Sequence, residues 1–428
     1  MLYKLLRARR RLRKNPHKKM DELEKWQQKH LRKEIHNAYE NVEYYHRLFN
    51  SLDLKPDDIR TKEDLQKLPL TDKSTLRNHD IISEKVKDKK LTRVITSGST
   101  GEPIEIFLTE NDLAMVATTA SRVSEAAGLR TLRDRVAQLL MIGPYISTIL
   151  TKALFGGIIK LFAKIKMISI KQPLPEIVEE LLKYDPTLLN AYPSVAYSVG
   201  KYMVDHDLEF PNLRVVVTGS EILDDRTRKG IEESLNAEVF DAYGITEINI
   251  FGYECSEHSG FHTSIDTAIM EVVDKDNEPV AEGERGRLIL TPLMREAMPL
   301  IRYDIRDIVK VSSHECSCGR TFPLIDVLEG RVGDIIRLPD GRLVYPQIVM
   351  GELGDIQQLE NYQVIQPQTD KIEVFIVKGK DFSDETAEKV EKICGEIFKG
   401  TDLKVRFAEK IQETPSARVR HIISNVGE

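Results

Sequence analysis

A chain of 428 residues, 41% of them hydrophobic, is long enough for two or three domains with ordinary cores. Its 62 basic and 68 acidic residues leave a net charge of −6, which gives no chain-wide reason to expect a nucleic-acid partner. Four cysteines are too few for a disulfide scaffold of this size, so a reducing, cytoplasmic setting is expected.

The charge is unevenly placed. Residues 1–20 carry nine Lys/Arg, including Arg9-Arg10-Arg11, and no acid. This basic helical arm, within residues 1–35, reads as a solvated helix face, with weak contact to an anionic membrane surface as the alternative. It lacks the apolar run and cleavage site of a secretory signal. Residues 21–50 then predict a helix, with Trp26, His30, Ile35, Tyr39, Val42 and Tyr45 mostly three to five apart. Thr61 and Asp64 suit the start of a short helical piece at 61–65.

Residues 91–95 and 104–108 alternate as two strands. Between them Thr96-Ser97-Gly98-Ser99-Thr100-Gly101-Glu102-Pro103 crowds hydroxyls and glycines together. Glycine lets backbone N–H groups turn toward an anion and the hydroxyls add donors, so the loop is a candidate phosphate cradle; an ordinary hairpin turn is the alternative. The Lys-Ser/Thr that closes a Walker A loop is missing.

Residues 110–128 read as helix and 136–142 as a buried strand. The longest apolar stretch, 146–170, is interrupted by Lys152, Lys160, Lys164 and Lys166, which excludes a membrane span. Phe155, Ile158, Ile159, Phe162 and Ile165 predict a buried amphipathic helix there, with an apolar-substrate wall or membrane contact as alternatives. From 173 onward helices (173–183, 194–205, 224–235) alternate with strands (187–191, 213–218, 238–242), the pattern of an α/β core with a parallel or mixed sheet. Ligands sit at strand ends in such sheets. Gly219-Ser220-Glu221 follows one strand and Tyr243-Gly244-Ile245-Thr246-Glu247 another. Strands are expected at 269–273 and 286–290, then Arg302-Tyr303-Asp304-Ile305-Arg306-Asp307. A glycine-punctuated joint at 328–334 precedes short alternating strands and one helix at 384–398, on whose apolar face Cys394 reads as core.

Four of these segments, in this order and spacing, resemble the adenylate-forming enzymes: Thr96 to Pro103, Tyr243 to Glu247, Arg302 to Asp307, and Gly330-Arg331-Val332-Gly333-Asp334. That superfamily includes acyl-CoA synthetases, luciferases and nonribosomal peptide adenylation domains. Ala38 to Tyr45, Leu68 to Lys73 and Arg295 to Leu300 are most similar to its phenylacetate–CoA ligase branch, with the coenzyme F390 synthetase and capsule-biosynthesis relatives. The resemblance spans nearly the whole chain from about residue 25.

The resemblance implies an α/β fold with a large multi-subdomain N-terminal domain (1–330) of mixed β-sheets covered by helices, and a small mobile α+β C-terminal domain (331–428). It implies that Ser97, Gly98, Ser99, Thr100 and Gly101 hold the β- and γ-phosphates of ATP, that Tyr243 and Gly244 lie against adenine, and that Thr246 touches the α-phosphate. Glu247 would ligate Mg²⁺, a hard ion suited to carboxylate oxygen. Gly219, Ser220 and Glu221 would line the adenine side, while Asp307 and Arg331 would hold the ribose. Taken singly, Tyr243 reads as core packing and Asp307 as a surface ion pair with Arg302 or Arg306.

Two positions depart from the family. Ala417 and Arg418 stand where a Gly-Lys is expected, and arginine is no conservative exchange for the catalytic lysine at a tight site. Gly333 stands at the acidic hinge position, where glycine still permits rotation. Cys255, Cys316 and Cys318 with one imidazole offer a tetrahedral Zn²⁺ site; His262, in a segment similar to zinc-bearing relatives, is preferred over His258, and reduced unligated thiols are the alternative.

The leading expectation is an ATP- and Mg²⁺-dependent ligase that makes an acyl adenylate and passes the acyl group to coenzyme A. AMP transfer to a non-carboxylate acceptor, amide ligation, or a nucleotide-binding homologue impaired by Arg418 are the alternatives. Pro144, Tyr145 and Tyr192 to Val195 fall in the family's acyl pocket, with helix-on-sheet packing the competing reading of both tyrosines. Homodimerisation is left open.

Overall fold

Helix α1 (Leu2–Leu12) buries Ala8 and Leu12 and turns its arginines outward. The helix expected at 21–50 is two helices, α2 (Met20–Asn41) and α3 (Glu43–Ser51). Between them Val42 is extended at φ −130°, a conformation that suits a β-branched residue. The break folds Tyr45 and Phe49 back against Leu31, Ile35 and Ala38 in one core. The piece expected at 61–65 is a 3₁₀ turn at Glu63–Lys67, and α4 (Lys73–Asn78) starts from an Asp72 cap. In this computed structural model, residues 2–95, 104–129, 134–140, 164–170, 172–331, 336–344, 349, 352–354, 356–411 and 421–426 are described.

Strands β1 (Thr92–Ile95) and β2 (Glu105–Leu108) form an antiparallel hairpin that ends with Ile95 opposite Glu105. The segment 96–103 leaves from that end and lies outside the described residues. Helix α5 (Glu110–Ala126) follows, capped by Thr109, which accepts a hydrogen bond from the Asp112 N–H.

The main sheet has eleven strands and changes character midway. Its parallel part contains β3 (Arg135–Leu140), β4 (Lys164–Ser169), β5 (Leu188–Asn190), β6 (Val215–Gly219) and β7 (Glu238–Ile245), in the order β4-β3-β5-β6-β7. The crossovers after β4 are α6 (Leu174–Tyr184), α7 (Pro193–Asp205) and α8 (Asp225–Leu235), whose apolar sides pack with Val216 and Val239 in one core. Val215, Val216 and Val217 are all buried, as a strand covered on both faces requires. Beyond β7 the sheet continues antiparallel through β8 (Asn249–Tyr253), β9 (Phe261–Thr263), β13 (Leu324–Arg331), β12 (Tyr303–Val311), β11 (Arg285–Pro292) and β10 (Ala268–Val273).

Ile165 lies in β4, not in the expected amphipathic helix. Residues 164–169 pair with β3 along their whole length, so sheet hydrogen bonds and not helical spacing decide their state. Residues 141–163, with Tyr145 and the remaining apolar positions of that helix, lie outside the described residues. No helix among the described residues is long and apolar enough to cross a membrane.

After Arg331 the chain leaves the large sheet. A short hairpin, β14 (Ile336–Arg337) and β15 (Leu343–Val344), leads to β16 (Leu359–Gln368) and β17 (Lys371–Lys378). Helix α9 (Asp384–Ile397), β18 (Asp402–Ala408) and β19 (Ile422–Ser424) complete a separate four-stranded sheet, β18-β17-β16-β19. Val364, Val374, Val390 and Cys394 share its core, and burial pushes the Cys394 thiol up to about 12. Arg226 on α8 donates to the carbonyls of Gly354, Ile356, Gln357 and Leu359 and so ties the large sheet's helix layer to the entry of β16.

A buried knot joins the first helices to the sheet. Both oxygens of Asp266 accept from Arg122 on α5, at 2.9 and 2.7 Å, and Asn15 donates to the same carboxylate at 2.9 Å. Trp26 on α2 donates to the Asp266 carbonyl. Asp266→Asn would leave Arg122 charged and buried without its counterion. The expected loss is about 3–5 kcal/mol of unfolding free energy, read from the urea midpoint.

Candidate active site

The change from parallel to antiparallel pairing occurs at β7, and the turn after it is sharp. Gly244 pairs with Ile250, and a Cβ on Gly244 would meet the Asn249 carbonyl oxygen at 2.4 Å. Asn249 itself sits at φ +80°, so the glycine and the left-handed asparagine close the turn that holds Thr246 and Glu247. Gly219 ends the neighbouring strand β6 opposite Ala242, where a Cβ would approach the Ala242 carbonyl oxygen to 2.7 Å. Ser220 follows at φ +69°. The Glu221 carboxylate accepts from the Ser194 N–H at the start of α7, at 3.1 Å.

Tyr243 and Asp307 meet. The Tyr243 hydroxyl donates to Asp307 Oδ2 at 2.6 Å, and each residue is 7% exposed. Among the described residues, the two arginines expected to pair with Asp307 are engaged by other carboxylates. Arg302, at φ +50°, is bound to Glu271 at 3.0 Å and donates to the Leu68 carbonyl, while Arg306 pairs with Asp72. The Leu68 to Lys73 segment is thereby stitched to the 302–307 strand, with Thr71 accepting from the Asp304 N–H and donating to the Arg302 carbonyl. In the β12–β13 register, Asp307 faces the backbone of Arg331. The structure thus brings together Tyr243, Gly244, Gly219 and Asp307, with the Thr246–Glu247 turn following directly. Ser97 to Gly101, Arg418 and Gly333 lie outside the described residues.

Glu247 is 4% exposed, and its carboxylate accepts from the Tyr303 hydroxyl at 3.1 Å. Sequence reasoning missed what holds its backbone. Arg295 Nη2 donates to the Glu247 carbonyl, and the buried Arg295 guanidinium lies in the field of the Asp112 and Glu34 carboxylates, the latter also accepting from the Arg295 backbone N–H. Burial pushes the acid of Glu34 well above its ordinary range and raises that of Asp112. Asp112 also accepts from the backbone N–H groups of Thr109, Glu296 and Ala297. Asp112 lies inside the helix expected at 110–128, and Arg295 in the Arg295 to Leu300 segment similar to the phenylacetate–CoA ligase branch; neither segment by itself signals a contact with Glu247.

Next to the group a cavity of about 30 Å³ is lined by Asp112, Met115, Thr119, Asn249 and Arg295. Its size suits one water and not an organic acid. We expect Arg295→Lys to keep a buried cation but lose the fork to the Glu247 carbonyl, lowering adenylation kcat about tenfold with little change in KM for ATP. A loss of kcat no larger than the loss of folded protein, read by circular dichroism on the same sample, would refute that positioning role.

A second cluster lies just past the end of β8 and on β9. One ligand atom each from Cys255, His262, Cys316 and Cys318 falls within 4.8 Å of all the others. The Cys255 and Cys316 sulfurs are 3.6 Å apart, and Cys318 Sγ is 3.2 Å from His262 Nε2. Sulfurs bound at about 2.3 Å to one tetrahedral ion stand roughly 3.8 Å apart, so the donor set fits Zn²⁺. His262 Nδ1 faces the Phe322 carbonyl at 3.3 Å, leaving Nε2 for a metal, and burial pushes the imidazole down to about 4, toward its neutral form. Arg320 lies within hydrogen-bonding reach of Cys318. His258 instead faces Glu254 and Glu238, at 3.3 and 3.0 Å.

The Tyr243–Asp307 pair thus sits where the mixed sheet changes from parallel to antiparallel pairing. The chain belongs to the AMP-binding enzyme family, which matches residues 15–291. It is 31% identical over 338 residues to a phenylacetate–coenzyme A ligase of Thermus thermophilus, covering 76% of this chain and 74% of that protein. A phenylacetate–coenzyme A ligase of Escherichia coli K12 is 31% identical over 327 residues, 74% of this chain and 73% of that one. Among solved structures, a 2-hydroxyisobutyryl-CoA ligase in its postadenylation state superposes with a TM-score of 0.83 at 19% identity, covering 96% of this chain and 91% of the other.

Proposed function

We propose that this chain joins a carboxylic acid to ATP as an acyl adenylate and then transfers the acyl group to coenzyme A. In the first step a carboxylate oxygen bonds to the α-phosphorus and pyrophosphate leaves. In the second the coenzyme A thiolate bonds to the acyl carbonyl and AMP leaves. Membership of the AMP-binding enzymes and likeness to two phenylacetate–coenzyme A ligases support the reading.

The observation that carries it is the Tyr243–Asp307 bond beside Gly219 and Gly244. An aromatic face and a carboxylate, held at a strand end by two glycines that let neighbouring backbone pack closely, suit a nucleoside. In our reading Tyr243 packs against adenine, Asp307 accepts from the ribose hydroxyls, and Gly219, Ser220 and Glu221 close the adenine edge, with Arg331 on the ribose side. Ser97, Gly98, Ser99, Thr100 and Gly101 receive the β- and γ-phosphates at the end of the β1–β2 hairpin. Thr246 donates to the α-phosphate and Glu247 holds Mg²⁺, which when bound offsets phosphate charge during attack. Arg295, Asp112 and Glu34 hold the carbonyl of Glu247 still. We assign residues 1–330 and 331–428 to two domains, the second turning between the two steps. Cys255, His262, Cys316 and Cys318 take a structural Zn²⁺, and four cysteines without a disulfide suit the cytoplasm.

Arg418 supports a second reading, in which adenylation is impaired and the chain binds nucleotide or serves another acceptor. Incubation with Mg-ATP, coenzyme A and a panel of aryl and aliphatic acids separates the two. The first reading predicts AMP and an acyl thioester in equal amounts with at least one acid. ATP binding without AMP, rescued by Arg418→Lys, would establish the second.

A further inference from the structure

The solvent-facing side of α1 is chemically unusual. Tyr3 and Leu6 are 76% and 57% exposed, and Arg7 and Arg10 lie three or four residues from them, on the same helix face. Arg13 and Lys14 extend the row, and both are exposed. Among the described residues none of these four cations forms an ion pair with a carboxylate. The opposite side accounts for the other charges of the helix: Lys4 pairs with Glu110 at 2.7 Å, Arg9 with Glu125 at 2.6 Å, and Arg11 contacts His30. Ala8 and Leu12 are buried, and α1 packs along α5. The outward face therefore belongs to a docked helix and not to a loose charged tail.

A solvated face explains the arginines but not two large apolar groups side by side among them, whose exposure to water costs free energy. A nucleic-acid backbone would match the cations and leave Tyr3 and Leu6 without partners. A bilayer interface meets both, since acidic headgroups attract the guanidinium groups while tyrosine and leucine enter the boundary with the acyl chains. We propose that the Tyr3, Leu6, Arg7 and Arg10 face of α1, with Arg13 and Lys14, docks this chain reversibly on an anionic membrane surface. The inference does not depend on the ligase reading, because none of these residues belongs to the candidate active site.

Cosedimentation of the full chain with phospholipid vesicles tests it. Partition onto vesicles of phosphatidylcholine with about one-third phosphatidylglycerol is expected to exceed that onto phosphatidylcholine alone by about tenfold or more, and to fall as salt is raised. Arg7→Gln and Arg10→Gln are each expected to reduce it about fivefold. Tyr3→Ser with Leu6→Ser should reduce it further at unchanged charge, while ATP binding and the thermal midpoint stay as in the parent. Equal partition onto the two vesicle types would overturn the proposal. So would anionic-vesicle binding insensitive to Tyr3→Ser/Leu6→Ser, with duplex DNA held equally well, which would mark the face as a general polyanion site.

Discussion

Glu247→Gln is expected to lower acid-dependent pyrophosphate release by about 100- to 1000-fold, with the fold intact. The substitution is nearly isosteric, and an amide oxygen still accepts from the Tyr303 hydroxyl, so the turn after β7 should keep its shape. What disappears is the negative charge that we assign to Mg²⁺. Tyr243 and Asp307 are untouched, so AMP, which needs no metal to bind, should bind as it does to the parent. Raising Mg²⁺ should recover part of the loss and Glu247→Asp a larger part. Near-parental release by the Gln variant at limiting Mg²⁺ would place the metal elsewhere.

The second large effect is expected at the cysteine cluster. Zinc should accompany the purified chain near one equivalent, and Cys316→Ser should remove it together with several kcal/mol of unfolding free energy. The cost follows from position. A bound ion would join Cys255 and the β9 residue His262 to Cys316 and Cys318, in the loop before β13, so one bond set would close a large excursion of chain. Cys394→Ser is the comparison: its thiol is buried in a different core, and zinc content should not change. A parent that contains no metal as isolated, and whose stability a chelator leaves unaltered, would assign the cluster to reduced thiols.

The α/β alternation was legible because its strands are dense in β-branched residues and its helices carry amphipathic spacing. The expected strand at 213–218 and helix at 224–235 differ from β6 and α8 by no more than two residues at either end. Val42 defeated the same logic. An apolar residue at helical spacing fits one long helix or two short ones equally well, and only the packing of Tyr45 and Phe49 decides between them. Ile165 failed for a related reason: its periodic neighbours cannot report that β3 is available to pair with. Strands β8 and β9, five and three residues long, are too short to leave a pattern.

At the candidate site, local sequence named the members but misjudged their company. Asp307 lies one residue from Arg306, yet its partner is Tyr243, 64 positions away, and the arginines are taken by Glu271 and Asp72. Arg295, Asp112 and Glu34 come from three distant segments, and nothing in any one of them announces a clamp on Glu247. The cysteine cluster was readable because thiols are rare here and paired Cys316 and Cys318 need a partner set. Choosing His262 over His258 on structural grounds required seeing His258 engaged by Glu254 and Glu238.

Exchange of labelled pyrophosphate into ATP tests the central claim most directly, because it reports formation of the acyl adenylate before any acceptor is involved. The account predicts exchange that requires Mg²⁺ and one acid of the panel, proceeds without coenzyme A, and is lost in Asp307→Ala. Exchange absent with every acid, although ATP binds at the Tyr243 and Asp307 site, would contradict it.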